Sequence, residues 1–175
     1  MTGKEPFESG IDIQISVETP GWPDADTLEA LSKTTIDAAA AYLASETGQP
    51  FPVGGCELSL LFSDDDAMRA INQQWREQDK PTNVLSFPAF PVEPQGMPGP
   101  MLGDILFARE TIEREAADLG IPFDNHLTHL LVHGFLHLLG YDHDDDEDAD
   151  VMEGLETRIL ATLDLSDPYE NTFPV

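Results

Sequence analysis

A single small layered α+β domain is predicted, with about five helices on a mixed sheet of about four strands. Three observations lead there. The chain has 175 residues, the length of one ordinary domain. Its hydrophobic content of 41% is enough to build a core. Short strand-like segments alternate with segments of helical periodicity, and no internal repeat or composition break divides the chain. Residues 1–175 are therefore read as one domain, with polar, tail-like stretches at 1–10 and 166–175.

The elements follow in order. Ile11-Asp12-Ile13-Gln14-Ile15-Ser16-Val17 alternates apolar and polar residues, the period of a half-buried strand. Pro20, Gly21 and Pro23 mark a loop. From Asp26 to about Glu46, Leu28, Leu31, Ile36, Ala39 and Leu43 recur at helical spacing, with acids in the first turn. A strand is expected at 56–62. Asp64-Asp65-Asp66 then supplies an N-terminal cap for a helix reaching Trp75. Val84–Phe87 forms a short strand, and five prolines between 88 and 100 impose a loop. Leu102–Ala108 is another strand, and Ile112, Ala116 and Leu119 mark a short helix. Pro122 opens a longer helix that Gly140 stops. Met152, Leu155, Ile159 and Leu163 define the last amphipathic helix.

Charge narrows the function. Eight basic residues stand against 34 acidic ones, for a net charge of -26. Such a surface repels DNA, RNA and anionic membranes at long range. A basic nucleic-acid-binding module is excluded, and any chemistry on a phosphate needs a small metal-bearing or locally positive site. Cys56 is the single cysteine, so no internal disulfide forms, and its apolar neighbours predict a buried, inert thiol. The first ten residues hold no apolar stretch of the kind a secretory signal needs, and no run is long enough to span a membrane. A cytoplasmic protein is expected.

All five histidines fall between positions 126 and 143. At 100° per residue, His126, His129, His133 and His137 project at about 0°, 300°, 340° and 20°, while Leu127, Leu130, Leu131, Phe135 and Leu138 span about 40° to 180°. One face is leucine and the next is imidazole. His133 and His137 lie one turn apart and can grip one ion from the same side. Gly140 breaks the helix, and the turn at Tyr141-Asp142 can return His143 as a third ligand. Three neutral imidazoles suit one zinc ion or a similar transition metal, with a position left open for water.

The spacing also matches a zinc-peptidase motif, His-Glu-x-x-His-x-x-Gly-x-x-His, with one departure. Position 134, where the peptidase carries its general-base glutamate, is glycine. The ligand cage is present and the peptidase base is not, so peptide hydrolysis by that route is not expected.

His133-Gly134-Phe135-Leu136-His137-Leu138-Leu139-Gly140-Tyr141-Asp142-His143 resembles the signature of the YbeY endoribonuclease family. Trp75-Arg76, Pro81–Pro88, Leu102-Gly103-Asp104 and Asp167-Pro168-Tyr169 agree with it, in order, from about 55 to 170. The resemblance implies a metal-dependent endonuclease for single-stranded RNA. It implies action in 3′-end maturation of small-subunit (16S) ribosomal RNA and in ribosome quality control. It also implies zinc on His133, His137 and His143 and a catalytic role for Arg76. The partners implied are single-stranded RNA and the ribosome. Since the net charge opposes RNA binding, a ribosome-associated protein partner is expected to help; DNA and membranes are not expected partners. Two rival readings are a non-catalytic ribosome-assembly factor with a structural metal and another zinc metallohydrolase. Structural zinc sites usually have four protein ligands, which disfavours the first.

Other features carry less. Asp142, Asp144, Asp146, Asp148, Asp150 and Glu153 match the ligand positions of a calcium loop, but Glu147 stands where the turn requires glycine. The run is read instead as a solvated, acidic helix start. Arg69 and Lys80 are read as partners of the abundant acids. His126 and His129 share the histidine face; support of the site or a place in a pocket wall is the alternative open to His129, and neither is assigned a direct role. Trp75 is read as a core or pocket-rim residue.

Overall fold

The computed structural model describes residues 10–76 and 82–169, and of Arg76 the backbone alone. Among the described residues, four strands and five helices follow in the order β1 (Ile11–Val17), α1 (Ala25–Glu46), β2 (Cys56–Ser63), α2 (Asp65–Arg76), β3 (Val84–Pro88), β4 (Met101–Ala108), α3 (Arg109–Leu119), α4 (Phe123–Leu138) and α5 (Asp146–Thr162). The predicted α+β class and element order match. The sheet runs β1-β2-β4-β3, with β1/β2 and β2/β4 parallel and β3/β4 antiparallel.

Period-two alternation sorts side chains to the two sheet faces. Leu58, Leu60, Phe62, Ile105 and Phe107 join the main core beneath α1 and α4, and α5 packs on those two helices. Leu106 and Ala108 join a smaller cluster with Met68 of α2 and Leu85 of β3. Leu102 and Ile105 lie three apart, a spacing that regular pleating would send to opposite faces, yet both enter the main core. A register shift explains this: Glu57 pairs with Met101 and Leu58 with Gly103, so Leu102 is the extra residue of a bulge.

Helix ends follow local chemistry. Asp24 caps α1 by accepting from the Thr27 N–H (2.8 Å), and Asp64 does the same for the Ala67 N–H (2.8 Å). Asp145 accepts from the Asp148 N–H (2.7 Å), and Asp146, Glu147 and Asp148 form the first turn of α5. Most of the acidic run is therefore helix, as the charge reading expects. Cys56 is buried, which pushes its thiol pKa up. Trp75 is no core residue: it is 69% exposed. It shares a helix face with the buried Met68 and Asn72 but stands in the last turn of α2, where it is exposed. No helix among the described residues is long and apolar enough to cross a membrane.

α4 is the central helix. It packs against α1, α3, α5 and β3, and all its leucines are buried. Gly134 makes the close approach to the sheet possible. A Cβ there would lie 2.9 Å from Ile105 Cγ2 and 3.1 Å from Ser86 Oγ, and that hydroxyl donates to the Gly134 carbonyl (3.1 Å). The residue that separates this motif from the peptidase pattern is thus seated in helix–sheet packing.

Candidate metal centre

The end of α4 builds the cage. Gly140 takes φ 98°, and its N–H donates to His137 O (3.0 Å) while the Tyr141 N–H donates to Leu136 O (3.1 Å). This is the two-bond glycine stop that satisfies terminal carbonyls. A side chain at 140 would also collide with the Val92 carbonyl of the proline-rich loop. After the stop, Asp142 Oδ1 accepts from the His143 N–H (2.7 Å) and steadies the turn. That backbone bond keeps the Asp142 carboxyl below its ordinary pKa.

His133, His137 and His143 converge so that one ring nitrogen from each lies within 4.8 Å of the others. Ring centroids are 4.6 Å apart for His133–His137, 5.5 Å for His133–His143 and 5.0 Å for His137–His143. The tautomers follow from the acceptors. His137 Nδ1–H donates to the Tyr141 carbonyl (2.9 Å), and His133 Nδ1–H donates to Glu156 Oε1 (3.0 Å). Both Nε2 lone pairs then face each other at 3.1 Å. Two acceptors at that distance call for a cation between them. Ligand bonds of about 2.0–2.1 Å in tetrahedral array put nitrogens roughly 3.3–3.4 Å apart. The donor set fits a transition metal. Burial, together with the charge of His133 and His143, lowers the His137 pKa from 6.5 to about 4, so it is neutral and ready to ligate near neutral pH.

Glu156, on α5, is a residue that sequence reading missed. It is fully buried. Oε1 accepts from His129 Nε2–H (2.8 Å) as well as His133, and Oε2 accepts from the Tyr169 hydroxyl (2.9 Å). Burial pushes its pKa up, but the hydrogen bonds from His129 and His133 outweigh that and bring it to about 2. Burial, and then the same carboxylate, drive the Tyr169 phenol pKa upward. One signal was available in the sequence: Glu156 lies on the stripe of Met152, Leu155, Ile159 and Leu160, where an acid needs partners.

Two cavities meet at His133 and Asn83. The metal-side cavity, about 590 Å³, runs between the histidine triad, β3 and the proline-rich loop. The second, about 520 Å³, has largely apolar walls and is bordered by His126, His129 and Tyr169. His129 therefore shares the Glu156 carboxylate with His133 and lines a pocket, a closer tie to the triad than the sequence assigned to it. His126 Nε2–H donates to Glu115 Oε1 (2.8 Å), away from the triad. Arg76 closes α2, and its side chain lies outside the described residues, as does Lys80.

A glycine-stopped helix carrying His133 and His137, with His143 on the turn that follows, gathers on an α+β scaffold three imidazoles able to hold a metal ion. Residues 14–164 match the family described as Endoribonuclease YbeY, and the chain belongs to it. It is similar to the endoribonuclease YbeY of Sinorhizobium fredii, 64% identical over 161 residues, covering 92% of this chain and 93% of that protein. It is likewise similar to that of Rhizobium meliloti, 63% identical over 166 residues, covering 95% and 99%. The solution structure of TM1509 from Thermotoga maritima shares the fold, with a TM-score of 0.53 at 24% identity over 89% of this chain and 97% of that one.

Proposed function

We propose that the protein is a metal-dependent endoribonuclease that cleaves single-stranded RNA. In this reading it matures the 3′ end of 16S ribosomal RNA, serves ribosome quality control and works in the cytoplasm. The observation that carries the reading is the approach of His133 Nε2 and His137 Nε2 to 3.1 Å, with His143 alongside, in a chain of the YbeY endoribonuclease family. His133, His137 and His143 would hold one zinc or similar ion. Such an ion supplies Lewis-acid polarisation of a phosphodiester oxygen and offsets substrate charge.

The remaining work falls to the chain. The described walls of the metal cavity contain no lysine or arginine, while Asp142 and Asp144 stand at its edge. A phosphate there needs a cation besides the metal. Arg76 is assigned that role, because a guanidinium can contact two oxygens of one phosphate through its planar fork. The net charge of -26 opposes free RNA, so productive binding is expected on the ribosome or beside a ribosome-associated protein. Metal analysis of the purified protein, combined with cleavage of single-stranded RNA with and without chelator, tests the reading. One ion per chain and chelator-sensitive cleavage are expected. Cleavage that survives complete metal removal would refute it.

A further inference from the structure

We infer that Glu156 is the positioning residue of the metal site, and that the Asp-Pro-Tyr turn at 167–169 is part of the same device. The inference rests on the metal reading above and adds to it a residue outside the cage.

The geometry is specific. Of the two helix-borne ligands, His137 is oriented by a neutral backbone carbonyl, whereas His133 is oriented by a carboxylate. A carboxylate on the far nitrogen fixes the tautomer and makes the coordinating nitrogen more basic, and such partners typically govern metal affinity roughly 10–100-fold. Glu156 can do this only if it is itself held in place. Its oxygens accept three hydrogen bonds, from His133, His129 and Tyr169, at 3.0, 2.8 and 2.9 Å. His129 comes from α4, one turn before His133. Tyr169 comes from the chain beyond α5, where Asp167 Oδ1 accepts from the Tyr169 N–H (2.8 Å). The same oxygen lies 3.2 Å from the Thr157 hydroxyl, whose single proton it shares with the Glu153 carbonyl at 2.9 Å, so the turn sits against the residue next to Glu156. Asp167-Pro168-Tyr169 thus gains a physical role: it brings a hydroxyl to the oxygen that the histidines leave free.

The test is a titration of the full-length protein with Zn2+ against a chromophoric chelator at fixed pH, for the unsubstituted chain, Glu156→Gln and Tyr169→Phe. Thermal melting of each metal-free protein runs in parallel. Glu156→Gln is expected to weaken Zn2+ binding roughly 10–100-fold, and Tyr169→Phe by a smaller factor. Both should erase or shift the His133 ring N–H proton resonance. Unaltered affinity in both variants, with only a lowered melting temperature, would mean that Glu156 merely supports the core and would overturn the inference. Should Glu156→Gln fail to fold, Tyr169→Phe decides by itself, since it leaves the carboxylate and its histidine partners intact. Absence of stoichiometric Zn2+ in the unsubstituted chain would instead overturn the metal reading.

Discussion

His126 and His129 share a face of α4 with His133 and His137, yet the two pairs sit in different chemical settings. In the upstream pair, Nε2 donates to a carboxylate, Glu115 for His126 and Glu156 for His129. In the downstream pair, Nδ1 donates, to Glu156 and to the Tyr141 carbonyl, so that both Nε2 lone pairs point at each other. The spacing is three residues in the upstream pair and four in the downstream pair, and either spacing keeps both rings on one helix face. What separates a ligand from a structural histidine is which nitrogen the neighbours occupy. That choice is made by α3, α5 and the turn after α4 rather than by α4 itself.

The largest expected effect breaks this contrast directly. His133→Ala, His137→Ala and His143→Ala should each lose stoichiometric metal and RNA cleavage, as read by native mass spectrometry and a cleavage assay. His126→Ala should keep its metal and lose about 1–3 kcal/mol of stability, the cost of removing a partner from a half-buried carboxylate. Full metal occupancy in all three cage variants would show that the two pairs are equivalent.

A second effect asks whether the imidazoles suffice. Arg76→Ala should retain fold and metal while losing roughly a hundred- to thousandfold in cleavage rate, the usual cost of deleting one transition-state donor. Arg76→Lys should recover part of it. Normal activity per folded molecule with a lowered melting temperature would reduce Arg76 to a structural cation.

Gly134 tests the common seat of both pairs. Gly134→Ala should cost about 1–3 kcal/mol through overpacking against Ile105, measured by chemical denaturation. Gly134→Glu should cost more and confer no casein hydrolysis. A stable, proteolytically active Gly134→Glu protein would show that position 134 faces the metal cavity instead of the sheet.

The smallest effect is in pH. In the metal-free protein, folded His137 takes up its proton near pH 4 and the unfolded side chain near 6.5. Between those values the unfolded chain binds more protons, so stability should fall as pH drops. Glu156 extends the loss below its ordinary pKa of 4.5 toward 2. Melting curves of chelator-treated protein read this directly, and a flat profile from 6.5 to 4 would contradict the neutral state assigned to His137.

Much of this protein follows from local order in the chain. Alternation at 11–17, leucine spacing in α1 and the stop at Gly140 are short-range facts, and so is the clustering of the cage residues. Each depends on backbone periodicity or on one residue's allowed dihedrals. The α+β class follows from their sequence. Other features required the fold. The bulge that turns Leu102 inward appears only when β4 pairs with β2. Gly134 reads as a missing base until Ile105 is seen against it. Trp75 is exposed although it shares a helix face with the buried Met68 and Asn72, which periodicity alone would not foretell. Glu156 and Tyr169 stand 23 and 36 positions from His133, a separation across which no periodicity carries information. Their hydrogen bonds exist because burying a carboxylate requires donors, and only the packing of α5 and its following turn against α4 decided which donors those would be.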